Sequence, residues 1–576
     1  MKTFQLFLIP LLFLVFSGCR MGKKENKQLS YTTITCNAMP VTDDDDWYST
    51  NQKAPLFDDL GNHSFPVSTE NKLVQKYIDQ GLILAYAFNH AEAARSFYYA
   101  AKLDPDCAMA YWGYAYVLGP NYNTAGYMES TNYPPAYDAI QKAVALADHV
   151  TPKERALILA MAERYTKDVP RDRAPLDKAF AEAMKTVFEA FPNDADIGTM
   201  YAEALMNIHP WDLYTPDGTP QPWTPEIEEV LEKIIAQNPL HPGAHHLYIH
   251  AVESSNTPER GIPSAHVFDN GLVPGAGHLV HMPSHIYIRT GHYHKGTFAN
   301  INAVAADSSY TTACHAQGVY PLTYYPHNYH FMAATATLEG NSYWGILASE
   351  KLGEMISIQL MKEPGWGTLQ HFYTIPYYVY VKFGKWDKIL ALPDETPSLS
   401  YPSAVRSYAR GMAFLAKQDV DGAQKELDNL EILAQDESLK DLTIWDINST
   451  YELVQIAHHV LKAEIMATQK DYSQSVKLLT EAITVEDALN YNEPPDWFFS
   501  VRHHLGAVQI EAQNYQDAIK TYREDLANFP RNGWALHGLK RAYNKLGNSD
   551  KVAEIDQQLT KIWATADITI NSSRIK

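Results

Sequence analysis

One spacing recurs along this chain and limits what it can fold into: a glycine followed twelve residues later by an alanine. It occurs at Gly81 and Ala93, Gly291 and Ala303, Gly411 and Ala423, and Gly506 and Ala518. The first copy continues through Phe97, Ala100 and Pro105, and the last through Tyr522 and Pro530. A weaker copy runs through Ser475, Leu479 and Ala482, while Gly340 and Gly384-Lys385-Trp386 read as the turns of two more. Self-similarity of this kind marks a repeat architecture. Strand signals are scarce between the copies, and helix starts are explicit. Thr151-Pro152-Lys153-Glu154 offers a capping threonine, a proline at the first helical position and a glutamate that completes a capping box.

These offsets resemble the tetratricopeptide (TPR) consensus, in which small residues let two antiparallel helices approach and a proline closes the repeat. The resemblance implies an all-α, TPR-like α-solenoid of antiparallel helix pairs, with a concave face along its length. The expected organisation is a signal peptide over 1–18, a lipid-attached polar tether over 19–67 and an N-terminal TPR-like lobe with a histidine-rich groove over 68–360. A C-terminal TPR lobe over 361–565 and a tail over 566–576 complete it. Spacers at Pro120–Pro135, His209–Pro225 and Asp269–Gly277 are rich in Pro, Gly, Asn or aromatic residues and read as ordered loops. Longer strings, among them Phe88-Asn89-His90-Ala91-Glu92-Ala93, Tyr111-Trp112-Gly113 and His327-Asn328-Tyr329-His330-Phe331, are similar to a family of bacterial TPR-containing proteins. That similarity covers most of residues 60 to 350. It implies a fold and a site region, but no reaction.

The formal net charge of −20 argues against a nucleic-acid surface, which needs a basic stripe. The first 18 residues carry Lys2, a long apolar run and small residues before Cys19, which reads as a secretory signal rather than a spanning helix. Phe16-Ser17-Gly18-Cys19 resembles the lipobox of bacterial lipoproteins. This implies an acylated Cys19, a membrane partner through that lipid, and a place in the bacterial cell envelope. Cys36, Cys107 and Cys314 show neither a disulfide framework nor a CxxC metal pattern. The run Asp43-Asp44-Asp45-Asp46 lacks the alternation and glycine of a dedicated calcium loop and reads as solvated tether.

The chemistry concentrates between Asn238 and Lys295, where 10 of the 23 histidines fall in the 54 residues from His241 to His294. Histidine is the commonest metal ligand. A helix starting at Pro242 places His246, His250 and Glu253 within an arc of about 60°. This is the i, i+4 geometry by which one helix offers two imidazoles to an ion. A second helix near Pro283 carries His285 in its first turn, where the helix dipole disfavours imidazolium. His246-Leu247-Tyr248-Ile249 and His285-Ile286-Tyr287-Ile288 match closely and read as equivalent first helices of successive repeats. His278 and His281 follow the bend Pro274-Gly275-Ala276-Gly277.

His246, His250, His278, His281 and His285 are therefore the candidate metal ligands. Glu253 is a ligand, an orienter of a histidine or a salt-bridge partner. Glu203 and His90 from earlier repeats, and His327 and His330 from a later one, are further candidates for the pocket, their plainer reading being repeat packing. His241, His266, His292 and His294 lack a periodic partner and read as packing or loop residues. A donor set of histidine and carboxylate without thiolate suits Zn, Cu, Fe or Ni. HExxH, nucleophile-elbow and phosphate-loop motifs are all absent. Three functions remain open: a scaffold that binds a peptide or protein partner and carries a metal pocket, a metal-dependent hydrolase or oxidoreductase in which Glu203 or Glu253 moves protons, and metal storage or sensing without catalysis.

Overall fold

The computed structural model describes residues 44–49, 52–124, 128–314 and 319–576. The expected signal peptide over 1–18, Cys19 and most of the expected tether lie outside the described residues. From Lys72 the chain runs helix after helix to Ile562, and its strands among the described residues are the short antiparallel pair Thr443–Ile444 and Asn448–Ser449. Short turns fold each helix back against its predecessor, so the protein is an all-α solenoid of antiparallel pairs.

The glycines of the repeat have a packing reason. A Cβ on Gly81 or Gly113 would run into the ring of Phe97, and one on Gly506 or Gly538 would run into Tyr522. Each aromatic ring is thus gripped between glycines of two different helices, at the same offsets in repeats far apart in the chain. Burying a side chain of this size contributes roughly 1.5–3 kcal/mol. Caps fix where helices begin: Thr151 and Glu154 form the capping box, while Asn71, Asn89 and Asp194 accept from amides of the helices they precede. Several of the tight turns between paired helices use one left-handed residue. It is glycine at Gly340 and Gly384, but Phe88, Gln418, Lys470 and Gln513 take the same positive φ elsewhere.

Three boundaries differ from those expected. Residues 52–67 are not tether, because Ala54, Leu60 and Phe65 are buried, Ala54 O accepts from Tyr77 Oη at 2.7 Å, and Asp59 O accepts from the Gly275 amide at 2.9 Å. The last residues are not a free tail either. Arg574 is buried against Glu464 and Glu511, and Ser573 bonds Tyr522 at 2.7 Å. Finally, the hydrophobic interior divides into a cluster spanning Ala54 to Tyr324 and another spanning Ile288 to Ile570. The change-over lies within 288–324 rather than at 360, because the histidine helices themselves form the seam.

The second cluster also folds back on that seam. Tyr293 Oη donates to Pro530 O at 2.9 Å, and Tyr491 reaches Glu253. No helix among the described residues is long and apolar enough to cross a membrane.

Candidate metal centre

The helix Pro242–Val252 begins where its sequence directs: His241 caps it by accepting from the Ala244 amide at 3.1 Å, and Pro242 fills the first turn. Every residue of this helix is buried, so His246 and His250 face protein rather than water. The short helix Gly277–His281 carries His278 and His281, and Pro283–Thr290 carries His285. The helix Tyr324–Leu338 brings in His327.

Six imidazoles meet here in two trios. His246, His250 and His278 form one, His281, His285 and His327 the other, with ligand atoms inside each trio within 4.8 Å of one another. The trios adjoin: ring centroids of His250 and His285 are 5.4 Å apart, and those of His278 and His281 are 5.7 Å apart. The five expected ligands converge, and His327 joins them. The matched residues His246 and His285 do not share a trio. Each heads a different one.

Hydrogen bonds fix which nitrogen is free on four of the six rings. His246 Nδ1 lies 2.6 Å from the carbonyl of Tyr86, which can only accept, so the proton is on Nδ1 and the lone pair on Nε2. His250 Nδ1 donates to Glu253 Oε1 at 2.7 Å, and His285 Nδ1 donates to Glu253 Oε2 at 2.5 Å. His281 Nδ1 faces Asn300 Oδ1 at 2.9 Å, and the Asn300 amide is spent on Gly296 O. The Ser284 hydroxyl beside it donates to His281 O, so it too accepts from Nδ1. His246, His250, His281 and His285 therefore all present Nε2 lone pairs. Those of His281 and His285 face each other at 2.8 Å. His278 Nε2 lies 3.1 Å from His246 Nε2, while His250 Nε2 and His278 Nδ1 are buried without a partner.

Electrostatics favour the neutral form of five of the rings. Burial, reinforced by neighbouring imidazoles, holds His246, His278, His281 and His327 far below the ordinary histidine value, and burial lowers His250 against the pull of Glu253. Burial opposes ionisation of Glu253, but the His285 and His250 rings outweigh it and hold the carboxyl well below the usual range. Glu253 is thus a carboxylate whose two oxygens orient one ring of each trio, His250 and His285. The walls are aromatic. Phe88 lies 4.4 Å from His246, Tyr324 5.0 Å from His278 and Phe331 4.6 Å from His285. His327, Trp445 and Tyr491 are only half-buried and mark the edge that solvent reaches.

The other expected residues are placed elsewhere. Glu203, expected to move protons, bonds the Tyr116 hydroxyl, and burial raises its carboxyl. It joins no metal-capable group among the described residues. His90 packs near Tyr116, and His330 stacks on Phe498 beside His371, so neither enters a trio. His245 turns away to Ser264 and Pro239 O; His294 pairs with Glu339, His292 with Thr290 and His266 with Lys295. Among the described residues, His250, Glu253 and His285 form a further metal-capable group that bridges the trios, and a fourth group, His63, Asp196 and His241, was not legible in the sequence. His241 Nδ1 accepts the capping amide, so its Nε2 is a donor, and Asp196 Oδ1 takes it together with His63 and the Tyr86 hydroxyl. Those bonds satisfy the group as a structural network.

No protein-family model matches the chain, and no curated protein matches it. Among solved structures, the human IFIT1 dimer with m7Gppp-AAAA aligns at 12% identity and a TM-score of 0.30, covering 87% of this chain and 92% of that one. The TPR domain of P58(IPK) aligns at 12% identity and a TM-score of 0.20, covering 83% and 99%.

Proposed function

We propose that this chain is a helical-repeat metalloprotein, a binding scaffold whose seam holds a transition-metal centre of the Zn, Cu, Fe or Ni class. The observation that carries this reading is the 2.8 Å approach of His281 Nε2 to His285 Nε2 while both Nδ1 protons are committed elsewhere. Two lone pairs at that distance repel, and a cation between them turns the repulsion into ligation. A packing histidine pair would instead place a donor against an acceptor, as His241 and Asp196 do. The enzymatic reading, a metal-dependent hydrolase or oxidoreductase, is supported by the half-buried edge at His327. It does not use Glu253 as a base, since both of its oxygens accept from ligand rings. A peptide or protein partner fits the concave face of a solenoid.

The test is elemental analysis of full-length protein purified without chelator. At least one equivalent of a transition metal is expected. Occupancy below about a tenth of an equivalent would end this reading, since a structural or catalytic site holds its ion through purification. The apolar run before Cys19 and the lipobox-like Phe16-Ser17-Gly18-Cys19 support a lipid-anchored place in the cell envelope. Stable anchoring requires more than one acyl chain, so Cys19→Ala should release the protein from membranes. Equal retention of that variant after signal removal would refute the anchor.

A further inference from the structure

Resting on the metal reading above, we propose that the six histidines hold two copper ions side by side, and that the pair binds dioxygen. The number of ions follows from how the donors divide. There are two separate close approaches of Nε2 atoms, His246 to His278 at 3.1 Å and His281 to His285 at 2.8 Å, and each has its own third ring. One ion cannot sit in both. Glu253 ties the halves together, fixing His250 of one trio and His285 of the other through their Nδ1 protons.

The choice of metal follows from charge. Neither trio contains a thiolate or carboxylate; the one anion bonded to the rings is Glu253, which lies within ligand reach of His250 and His285 but whose two oxygens accept from their Nδ1 protons. Two divalent ions would bring four positive charges to a buried site with one carboxylate beside it, and uncompensated buried charge is costly. Two Cu(I) ions bring half that charge and accept three neutral nitrogens each. Imidazole suits copper, and Cu(II) heads the divalent affinity order at nitrogen sites, so the same donors hold either oxidation state.

The ligand follows from the pairing. Adjacent three-coordinate Cu(I) ions each have an open position and one electron to give. Dioxygen bound between them takes one electron from each: two Cu(I) and O2 become two Cu(II) and a bound O2 dianion, with the O–O bond retained and no proton moved. The dianion offsets two of the four positive charges. Release of dioxygen returns one electron to each ion. Phe88, Tyr324 and Phe331 line the rings and limit water at the centre.

The experiment loads metal-free, full-length protein with Cu(I) under anaerobic conditions, removes the excess, counts copper per chain, and then admits dioxygen. Two coppers per chain are expected, with an intense near-ultraviolet absorption that appears with dioxygen, fades under argon, and gives no EPR signal because the two Cu(II) spins couple. His250→Ala and His281→Ala should each drop the count to one and abolish the absorption while circular dichroism stays helical. One copper in the wild type, or two that oxidise to separate EPR-visible Cu(II), overturns the proposal. Zinc loading distinguishes the failures. Zinc bound at the histidines without the copper result leaves the metal reading standing, whereas no ion of any kind bound ends both.

Discussion

Tyr491 of the second lobe places its hydroxyl 3.4 Å from Oε2 of Glu253 in the first, across 238 positions of sequence. The same hydroxyl donates to Glu493 at 2.9 Å, and the Arg289 guanidinium lies over the Tyr491 ring. Burial pushes the Glu493 carboxyl up to about 8, with the charge of Glu253 adding to the rise against Arg289. The carboxylate that orients the histidines is therefore covered by a neutral, hydrogen-bonded strap from the far end of the solenoid.

Removing the charge of Glu253 should loosen the metal without unfolding the helices. Glu253→Gln keeps the shape, but its amide nitrogen cannot accept from a ring N–H. Metal affinity should fall about 10- to 100-fold, the usual cost of losing such an outer partner. Competition with a chelator measures this. Unchanged affinity would mean that Glu253 is only a packing carboxylate.

Ligand and packing histidines should separate cleanly. His285→Ala should strip bound metal strongly, whereas His294→Ala, which removes a partner of Glu339 remote from both trios, should leave the content unchanged. Elemental analysis of the two variants beside circular dichroism decides it. Equal loss from both would place the metal elsewhere.

The glycine grips predict local destabilisation. Gly113→Ala and Gly538→Ala each drive a methyl into an aromatic ring held from both sides, Phe97 and Tyr522 respectively. Overpacking of this kind costs about 1–3 kcal/mol. Chemical denaturation reads the shift, and a change below a few tenths of a kcal/mol would show that the rings move aside freely.

Acid should destabilise the metal-free protein. Burial, with Arg164 adding to it, lowers His90 to about 4, and burial lowers His371 to about 3. The folded values lie below the unfolded value of about 6.5, so below that pH the unfolded chain takes up protons first. Stability should thus be level above about 6.5 and fall as pH drops toward 4, at up to about 1.4 kcal/mol per pH unit for each such histidine. Denaturation midpoints across that range test it, and a flat profile would mean that these rings protonate in place.

What the sequence determined alone is the helical repeat and the neighbourhood of the site. The Gly–Ala spacing is a local packing requirement, visible wherever two helices must touch. The i, i+4 step that puts His246 and His250 in one trio is a property of a single helix. The crowding of His278, His281 and His285 pointed to the same place. Tertiary structure decided the rest, because helix periodicity says nothing about which distant faces meet. That depends on the rotation accumulated over many repeats. It brought His327 in as a sixth ring, sent Glu203 into a network with Tyr116, and made Glu253 an orienter by setting it between His250 and His285. It also closed His63, Asp196 and His241 into a saturated network, while leaving the Nε2 atoms of His281 and His285 face to face. Both groups are histidines close to a carboxylate. Only the bonds made by their other nitrogens separate a packing role from a ligand role.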